Sequence, residues 1–265
     1  MPRLVEASAL RAGHCPLVFA IAGEADSAGF ASTVHAVRWG EIGRLFRLLR
    51  EAGSREAVFV GSITRRPDFA AIRPDLGAVG LLPRILKLMR SGDDSLLNGV
   101  AAILAEKGVA LRGPLEIAPD LALPPGLLTG PQPDRDADAD IAAAVQAARF
   151  AGSLDIGQAA IAIAGRVVAV EGAEGTDGLM QRVGPLRQAG RLPPHGGVLV
   201  KCMKPQQDPR IDVPTLGART AELARAAGLD GVAAEAGRTL LAGREETIAA
   251  FGRAGLFLVG LPGPG

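Results

Sequence analysis

The sequence predicts an α/β protein of two domains, and its patterning and composition both support that prediction. Along most of the 265-residue chain, short apolar runs of strand length alternate with longer segments whose apolar residues recur at helical spacing. Alanine, glycine and leucine abound, whereas aromatic residues make up 3% of the chain and tyrosine is absent. Strands that alternate with helices favour a parallel sheet covered by helices, and the length suffices for two domains with separate cores.

In the first half, three apolar runs predict strands and three segments predict helices. Ile42, Leu45 and Leu49 recur at helical spacing, and the third helix begins at a Gly-Asp-Asp-Ser sequence and ends before Gly108. The predicted strands cover 16–22, 57–60 and 109–111, and the predicted helices cover 41–52, 81–90 and 93–107. We therefore expect residues 1–118 to form a Rossmann-like domain with a parallel sheet.

The periodicity collapses between residues 118 and 136. Five prolines and two glycines fall in this stretch, which predicts an irregular connection. We therefore predict a Pro-rich linker over residues 119–136, between the domain 1–118 and a second domain over 137–265.

Four aspartates follow the linker and precede a helix predicted over 141–150. Carboxylates this close together can hold a metal ion, but carboxylates at a helix N-terminus also bind its free amides and complement its dipole. We favour the second interpretation. The four are Asp134, Asp136, Asp138 and Asp140.

The second half begins with a predicted β-hairpin, in which 158–164 and 167–171 flank Gly165-Arg166. Further strands are predicted over 197–203, 231–235 and 256–261, and helices over 176–189, 218–227 and 244–254. Because the hairpin adds an antiparallel element, we expect a C-terminal α/β domain with a mixed sheet.

Charge and cysteine content exclude several classes of protein. The 29 basic and 28 acidic side chains nearly balance, so no nucleic-acid partner is expected. Cys15 and Cys202 lie in or beside apolar runs, which predicts buried thiols in a reducing cytosol. No apolar run approaches the ~20 residues that span a bilayer, the N-terminus lacks a signal-peptide profile, and the three histidines show no metal-ligand spacing. We expect a cytoplasmic protein.

Charged clusters follow apolar runs throughout residues 171–212. Carboxylates hold hard divalent cations, while lysine and arginine bind phosphate oxygens. This combination favours metal-assisted phosphoryl chemistry on an anionic substrate, although a solvated rim of ordinary ion pairs is the alternative. The carboxylates are Glu171, Glu174, Asp177, Asp208 and Asp212, and the cations are Lys201, Lys204, Arg182 and Arg210.

Three residues of this segment are predicted to be catalytic. Asp212 precedes Val213-Pro214 and so lies in extended backbone, where we favour a metal ligand or general base. Lys201 lies in an apolar strand, where an unpaired ammonium is costly, so we favour phosphate binding. Asp177 is as well explained by a helix N-cap as by a catalytic role.

The remaining candidates are ligands of substrate or metal. Arg65 and Arg66 follow a strand end, where α/β sheets bind ligands, so a contact to the anionic substrate is as well supported as a surface role. Lys204 and Arg210 are predicted to clamp phosphate oxygens, with a surface role left open, and Gln158 to orient the substrate. The predicted substrate-binding residues are Gln158, Thr176, Lys204, Gln207, Arg210, Arg65 and Arg66, and the predicted metal ligands are Asp212, Asp208 and Glu174.

Several long motifs go beyond these general patterns. In the second half they read D-I-G-Q-A at 155–159, V-E-G-A-E-G-T-D at 170–177, V-K-C-M-K-P-Q-Q-D-P-R-I-D-V-P-T-L-G at 200–217 and A-E-A-G-R-T at 234–239. These resemble the C-terminal domain of the LpxI family. Two more motifs, R-R-P-D at 65–68 and G-D-D-S-L-L at 92–97, resemble the N-terminal domain of that family.

The resemblance implies a two-domain cytoplasmic enzyme of lipid A biosynthesis. Such enzymes use Mg²⁺ to hydrolyse UDP-2,3-diacylglucosamine to UMP and 2,3-diacylglucosamine 1-phosphate (lipid X), with water attacking the sugar-side (β) phosphorus. It also implies a homodimer that contacts the inner-membrane surface, where the acyl chains lie. The catalytic aspartate of the D-x-P-T-x-G pattern falls on Asp212. We expect Mg²⁺ or Mn²⁺ as cofactor.

The sequence departs from the LpxI family at its N-terminus. Family members begin with an apolar strand and a glycine-rich loop, whereas this sequence opens at Met1-Pro2 in a segment that resembles the helix after them. We expect that first strand to be absent here, which leaves the mode of uridine binding open.

Two alternative functions are left open. One is a non-catalytic protein that binds a nucleotide sugar or lipid phosphate, and the other is a sugar-nucleotide transferase.

Overall fold

The computed structural model describes residues 1–61, 72–81, 84 and 93–263, and of residues 93–98 the backbone alone. The chain divides into two compact units, Met1–Ala118 and Pro119–Gly265. Helices and strands alternate in both units, and the larger sheet is mixed. The prediction of an α/β fold is confirmed.

In the first unit the described strand pairs are all parallel, β1 with β2 and β3 with β4. Pairing is in register from Val18 opposite Val34 and from Glu56 opposite Ala110. The described strands form two separate pairs rather than one sheet. The elements are α1 (Pro2–Arg11), β1 (Val18–Ile21), β2 (Val34–Val37), α2 (Ile42–Glu51), β3 (Glu56–Val58), α3 (Leu76–Val79), α4 (Asp93–Glu106), β4 (Ala110–Arg112) and α5 (Pro114–Ile117).

The sequence located most of these elements to within two residues at each end. Residues 85–90 of the helix predicted over 81–90 lie outside the described residues. The strand β2 and the short helices α3 and α5 were not predicted, because each is only four residues long and shows no clear period.

The second unit contains a six-stranded sheet in the order β5-β12-β10-β8-β6-β7. The central strands β8, β10 and β12 are parallel, whereas β5, β6 and β7 each run antiparallel to a neighbour. After a 3₁₀ turn (Pro119–Leu121), the elements are β5 (Gly126–Thr129), α6 (Arg135–Ser153), β6 (Ala159–Ile163), β7 (Arg166–Val170), α7 (Gly175–Gln188), β8 (Val198–Lys201), β9 (Thr215–Gly217), α8 (Ala218–Ala226), β10 (Gly231–Glu235), β11 (Leu240–Ala242), α9 (Arg244–Ala254) and β12 (Phe257–Leu261).

Helices cover both faces of this sheet. Successive side chains of a strand point to opposite faces, so Leu199 packs in the cluster with α7, α8 and α9, while Val198 and Val200 pack against α6. The face of α6 toward the sheet is built from small residues such as Ala144 and Ala148, which are almost fully buried and let the helix approach closely. Lys201 follows Val200 and therefore points to the same side as Leu199.

The Pro-rich segment 119–136 is more ordered than the sequence indicated. It carries β5, which pairs antiparallel with β12, and Leu123, which is 1% exposed in the core. The prediction of an irregular connection is wrong for these residues, because prolines at 124 and 125 can precede an edge strand without removing a ladder hydrogen bond.

Two other predictions can be compared directly with the structure. α6 begins at Arg135, six residues before the predicted start. Its N-cap Asp134 accepts a hydrogen bond from the backbone N–H of Ala137 at 2.9 Å, and Asp136 and Asp138 lie in the first turn, which confirms the capping interpretation for these three. The interpretation is wrong for Asp140, which is buried and accepts the backbone N–H of Gly165 at 2.6 Å. Cys202 is buried as predicted, but Cys15 is exposed, so that prediction was wrong. Cys15 lies in the open turn between α1 and β1, outside the strand that its apolar neighbours form.

Among the described residues, no helix is both long and apolar enough to cross a membrane.

Candidate active site

The predicted site residues of the second unit gather at one edge of the six-stranded sheet, where β7, β8 and β10 end. Lys201 ends β8 and lies opposite Ala159 of β6 and Ala234 of β10. Because β6 runs antiparallel to β8, the residues before β6 and those after β7, β8 and β10 all meet at this edge. This edge therefore brings together residues from different parts of the sequence: Gln158 before β6, Glu171 after β7 and Lys201 at the end of β8.

Lys201 is the buried cation of this site. Its residue is 8% exposed, and its Nζ donates a hydrogen bond to the backbone oxygen of Thr215 at 3.3 Å. Burial lowers the pKa of the ammonium, and the nearby carboxylates of Glu171, Asp212 and Asp177 oppose that shift. Three negative charges around one buried ammonium explain how a strand end can hold a lysine.

Glu171 is a buried carboxylate beside Lys201. One carboxylate oxygen accepts the backbone N–H of Gln158 at 2.8 Å, and the other accepts the hydroxyl of Thr176 at 2.7 Å. The side-chain oxygen Oε1 of Gln158 is buried and has no hydrogen-bond partner among the described residues. Glu171 thus joins the start of β6 to the first turn of α7.

The start of α7 carries two further predicted site residues, and both are ion-paired. Asp177 accepts a hydrogen bond from Nε of Arg219 at 2.8 Å. Glu174 lies 3.1 Å from Nη2 of Arg182, which also donates to the backbone oxygen of Val170. Asp177 and Glu174 are both exposed, so the site is open to solvent on this side.

The loop after β8 brings Lys204, Gln207 and Asp212 together. The buried side chain of Gln207 accepts the backbone N–H of Lys204 at 3.1 Å and donates from Nε2 to the carboxylate of Asp212. Lys204 donates from Nζ to Asp155 at 2.6 Å, and this contact lowers the pKa of Asp155. Asp212 is exposed, which leaves its carboxylate accessible to a substrate.

The structure does not assemble the predicted set of three metal ligands. Asp208 is bound by Arg210 through Nη2 at 2.6 Å and Nε at 3.0 Å, and this contact lowers the pKa of the Asp208 carboxyl. Glu174 is paired with Arg182, and Asp212 faces Gln207 instead. Within the described ranges, no three His, Cys, Asp or Glu side chains are grouped closely enough to hold a metal ion.

A second buried carboxylate, that of Glu235, holds the beginning of the loop after β8. Glu235, at the end of β10, is 1% exposed and accepts from Nη2 of Arg149 at 3.1 Å and from the backbone N–H of Met203 at 3.1 Å. Burial beside Glu235 raises the pKa of the Cys202 thiol to about 12, so this cysteine stays a neutral thiol. Glu171 and Glu235 thus flank the segment that carries Lys201 and Lys204.

The sequence predicted the loop after β8 as part of the site, but not the side chains that hold this loop in place. Glu171 was noted as one carboxylate among five without an assigned role, and Glu235, Arg149 and Asp155 were not assigned to the site. A glutamate directly after an apolar strand was the available signal for both Glu171 and Glu235. Arg65 and Arg66 lie outside the described residues.

A separate cavity of about 620 Å³ lies at the opposite edge of the sheet, where β10 and β12 begin. Its lining includes His195, Arg225 and Asp230, and it contains none of the predicted site residues. In open α/β sheets ligands bind beyond the carboxyl ends of the strands, so the edge at Lys201 remains the candidate active site.

Comparison with known proteins shows the family of this chain. Residues 1–121 match the family model of the LpxI N-terminal domain, and residues 124–259 match that of the LpxI C-terminal domain. The chain belongs to the LpxI family. It is 42% identical over 224 residues to UDP-2,3-diacylglucosamine pyrophosphatase LpxI from Caulobacter vibrioides, an alignment that covers 84% of this chain and 80% of the relative.

Every residue assembled around Lys201 falls within the match to the LpxI C-terminal domain. The family resemblance predicted from the motifs is therefore confirmed over both halves of the chain.

Proposed function

We propose that this LpxI protein hydrolyses the diphosphate of UDP-2,3-diacylglucosamine to UMP and 2,3-diacylglucosamine 1-phosphate, with water attacking the sugar-side phosphorus. One observation carries the proposal: an exposed carboxylate, Asp212, is held by Gln207 on the loop that follows a buried lysine at the carboxyl edge of the sheet. The relative from Caulobacter vibrioides, named for a pyrophosphatase of this substrate, supports it.

Each residue of the site has a role in this reaction. Asp212 accepts the proton of the attacking water, since its exposed carboxylate is held in place by the side-chain amide of Gln207. The positive charge of Lys201 stabilises the charge that develops on the phosphoryl oxygens, in a place from which water is largely excluded. Lys204 and Arg210 lie on the same loop and bind the diphosphate after exchanging their carboxylate partners, Asp155 and Asp208, for phosphate oxygens. Asp177, Thr176 and Gln158 line the same edge and orient the sugar phosphate.

We propose Mg²⁺ or Mn²⁺ as the cofactor. The donor set fits a hard cation held by one carboxylate and the substrate, since Mg²⁺ is commonly bound by one or two carboxylates together with phosphate oxygens. Asp212 would hold it, whereas Asp208 and Glu174 would first have to leave Arg210 and Arg182. Bound there, the ion supplies Lewis-acid stabilisation of the phosphoryl charge.

We also propose that the protein acts in the cytoplasm as a homodimer that touches the inner membrane through the acyl chains of its substrate. The support for both is the family resemblance. Light scattering of the purified protein tests the dimer, and co-sedimentation with phospholipid vesicles, with and without substrate, tests the membrane contact.

The function is tested by incubating the purified protein with UDP-2,3-diacylglucosamine and Mg²⁺ and measuring UMP release. Turnover without an added acceptor supports the hydrolase, binding without UMP release indicates a non-catalytic binding protein, and a need for an acceptor indicates a transferase. Prior treatment with EDTA is expected to abolish turnover, and Mg²⁺ or Mn²⁺ to restore it without Zn²⁺. Full activity after EDTA would reject the metal requirement.

A further inference from the structure

Glu171 is one of two buried carboxylates at the site, with Glu235, that the proposed reaction does not use. Its residue is 6% exposed, yet it carries a carboxylate at the end of β7. A buried carboxylate is costly unless both oxygens are hydrogen-bonded or paired with a cation, and here both oxygens accept hydrogen bonds. The burial of Glu171 is therefore compensated by these two contacts, and the groups that it holds indicate its role.

The backbone around Glu171 fixes the side chain in place. The N–H of Glu171 donates to the backbone oxygen of Ala159 at 2.8 Å. Gly157 passes so close that a Cβ there would lie 2.3 Å from the backbone oxygen of Glu171, so only glycine fits. The carboxylate is thus anchored at the strand end before it makes its own contacts.

The two groups that Glu171 holds both belong to the candidate site. Thr176 lies in the first turn of α7, one residue before Asp177, whose charge acts on Lys201. Gln158 is held through its backbone N–H, and its buried Oε1 has no hydrogen-bond partner among the described residues. Glu171 therefore fixes the backbone that carries this side chain.

We infer that Glu171 is a positioning residue, which fixes Thr176 and Gln158 beside Lys201 so that the sugar-side phosphate is held for attack. This inference rests on the proposed hydrolysis. A carboxylate that served only to stabilise the fold would contribute to the melting temperature and leave the turnover of the folded enzyme unchanged.

The test compares Glu171→Gln with the wild type in UMP release, at a temperature well below the melting point of both. Misplacement of a positioning group by ~1 Å costs up to about a hundredfold, so we expect kcat to fall about 10- to 100-fold and KM to change less than about threefold. Glu245→Gln, on the exposed first turn of α9, is the matched control and should keep wild-type kcat. Wild-type kcat in Glu171→Gln, or a loss confined to KM, would overturn the inference.

Thr176→Val provides a second variant that leaves Glu171 in place. If Glu171 acts by positioning the hydroxyl of Thr176, the loss of kcat in the double variant should differ from the product of the two single losses by at least about threefold. Additive losses would show that the two residues act independently and would contradict the inference.

Hydrogen exchange gives a readout that needs no turnover. In Glu171→Met, whose side chain has no oxygen acceptor, the backbone N–H of Gln158 loses its carboxylate acceptor and should exchange at least about tenfold faster, while amides of β10 keep their protection. Failure of the wild type to release UMP would reject the proposed function, and the exchange rate would still decide whether Glu171 holds Gln158. An unchanged rate would reject the inference.

Discussion

Gln207 donates a hydrogen bond from its side-chain amide to the carboxylate of Asp212, and its own carbonyl oxygen accepts the backbone N–H of Lys204 at 3.1 Å. Both polar atoms of this buried side chain are therefore engaged inside the loop. The sequence placed Gln207 among the substrate-binding residues, whereas these contacts favour a role in orienting Asp212.

Replacing Gln207 tests that role. Gln207→Leu removes a hydrogen bond to a charged group, which contributes about 1.5–3 kcal/mol, so kcat should fall at least about tenfold. Gln206→Leu is the control, because the neighbouring amide donates instead to the backbone oxygen of Gly152 at 2.7 Å. Equal UMP release by Gln207→Leu and the wild type would show that Asp212 needs no partner.

The carboxylate of Asp212 is expected to be essential. Asp212→Asn keeps the size of the side chain but removes the base, so turnover should fall at least about a hundredfold with little change in melting temperature. Asp138→Asn, on the exposed first turn of α6, should retain wild-type turnover. Asp208→Asn should lose less than about tenfold, since Arg210 already engages that carboxylate and exposed pairs contribute little. Near-normal activity of Asp212→Asn would remove this residue from the mechanism.

The sequence located the regular elements of the second unit well because their ends carry strong local signals. The strand over 231–235 and the helix over 244–254 were predicted with the bounds that the structure has, since each is strongly patterned and the helix is flanked by Gly243 and Gly255. β9 and β11 are three residues long, so no period in the sequence reveals them, and they pair with each other.

The partners of the charged side chains were harder to predict than the elements. Glu174, Asp177 and Asp208 were grouped by sequence proximity, but each is bound by a different arginine. The pair of Asp177 with Arg219 joins α7 to α8 and so depends on how these helices pack. The Lys204–Asp155 pair joins residues 49 positions apart, which local patterns do not reveal. The grouping of these residues was therefore readable from the sequence, whereas their contacts with one another were not.

The buried ammonium of Lys201 should make stability depend on pH. Its folded-state pKa lies below the ordinary value of 10.5, so the unfolded chain binds this proton more tightly than the folded chain. The free energy of unfolding of the wild type should therefore rise, relative to Lys201→Met, as pH increases through the window between the folded pKa and that ordinary value. Urea denaturation of both proteins between about pH 7 and about pH 10 measures this difference. A difference that is constant or falls with pH would contradict the burial of a charged Lys201.

Two arginine–carboxylate pairs of different burial should contribute unequally to stability. Arg149→Met leaves the buried Glu235 carboxylate without its cation and should lower the free energy of unfolding by about 2 kcal/mol, a value reduced because Arg149 is itself half exposed. Arg219→Met breaks an exposed pair with Asp177 and should cost less than about 1 kcal/mol. Urea denaturation at neutral pH compares the two. Equal losses would show that burial of Glu235 does not govern the contribution of its partner.

The position of bond cleavage can be read from the fate of the water oxygen. We expect water deprotonated by Asp212 to attack the sugar-side phosphorus, with UMP departing in line on the opposite side. Hydrolysis in ¹⁸O-water should then place the label in 2,3-diacylglucosamine 1-phosphate and leave UMP unlabelled, as measured by mass spectrometry of both products. Each unlabelled product, incubated with the enzyme in the same water, controls for exchange after cleavage. Label in UMP would show attack at the uridine-side phosphorus, and the roles of Asp212 and Lys201 would then have to be assigned to the other phosphate.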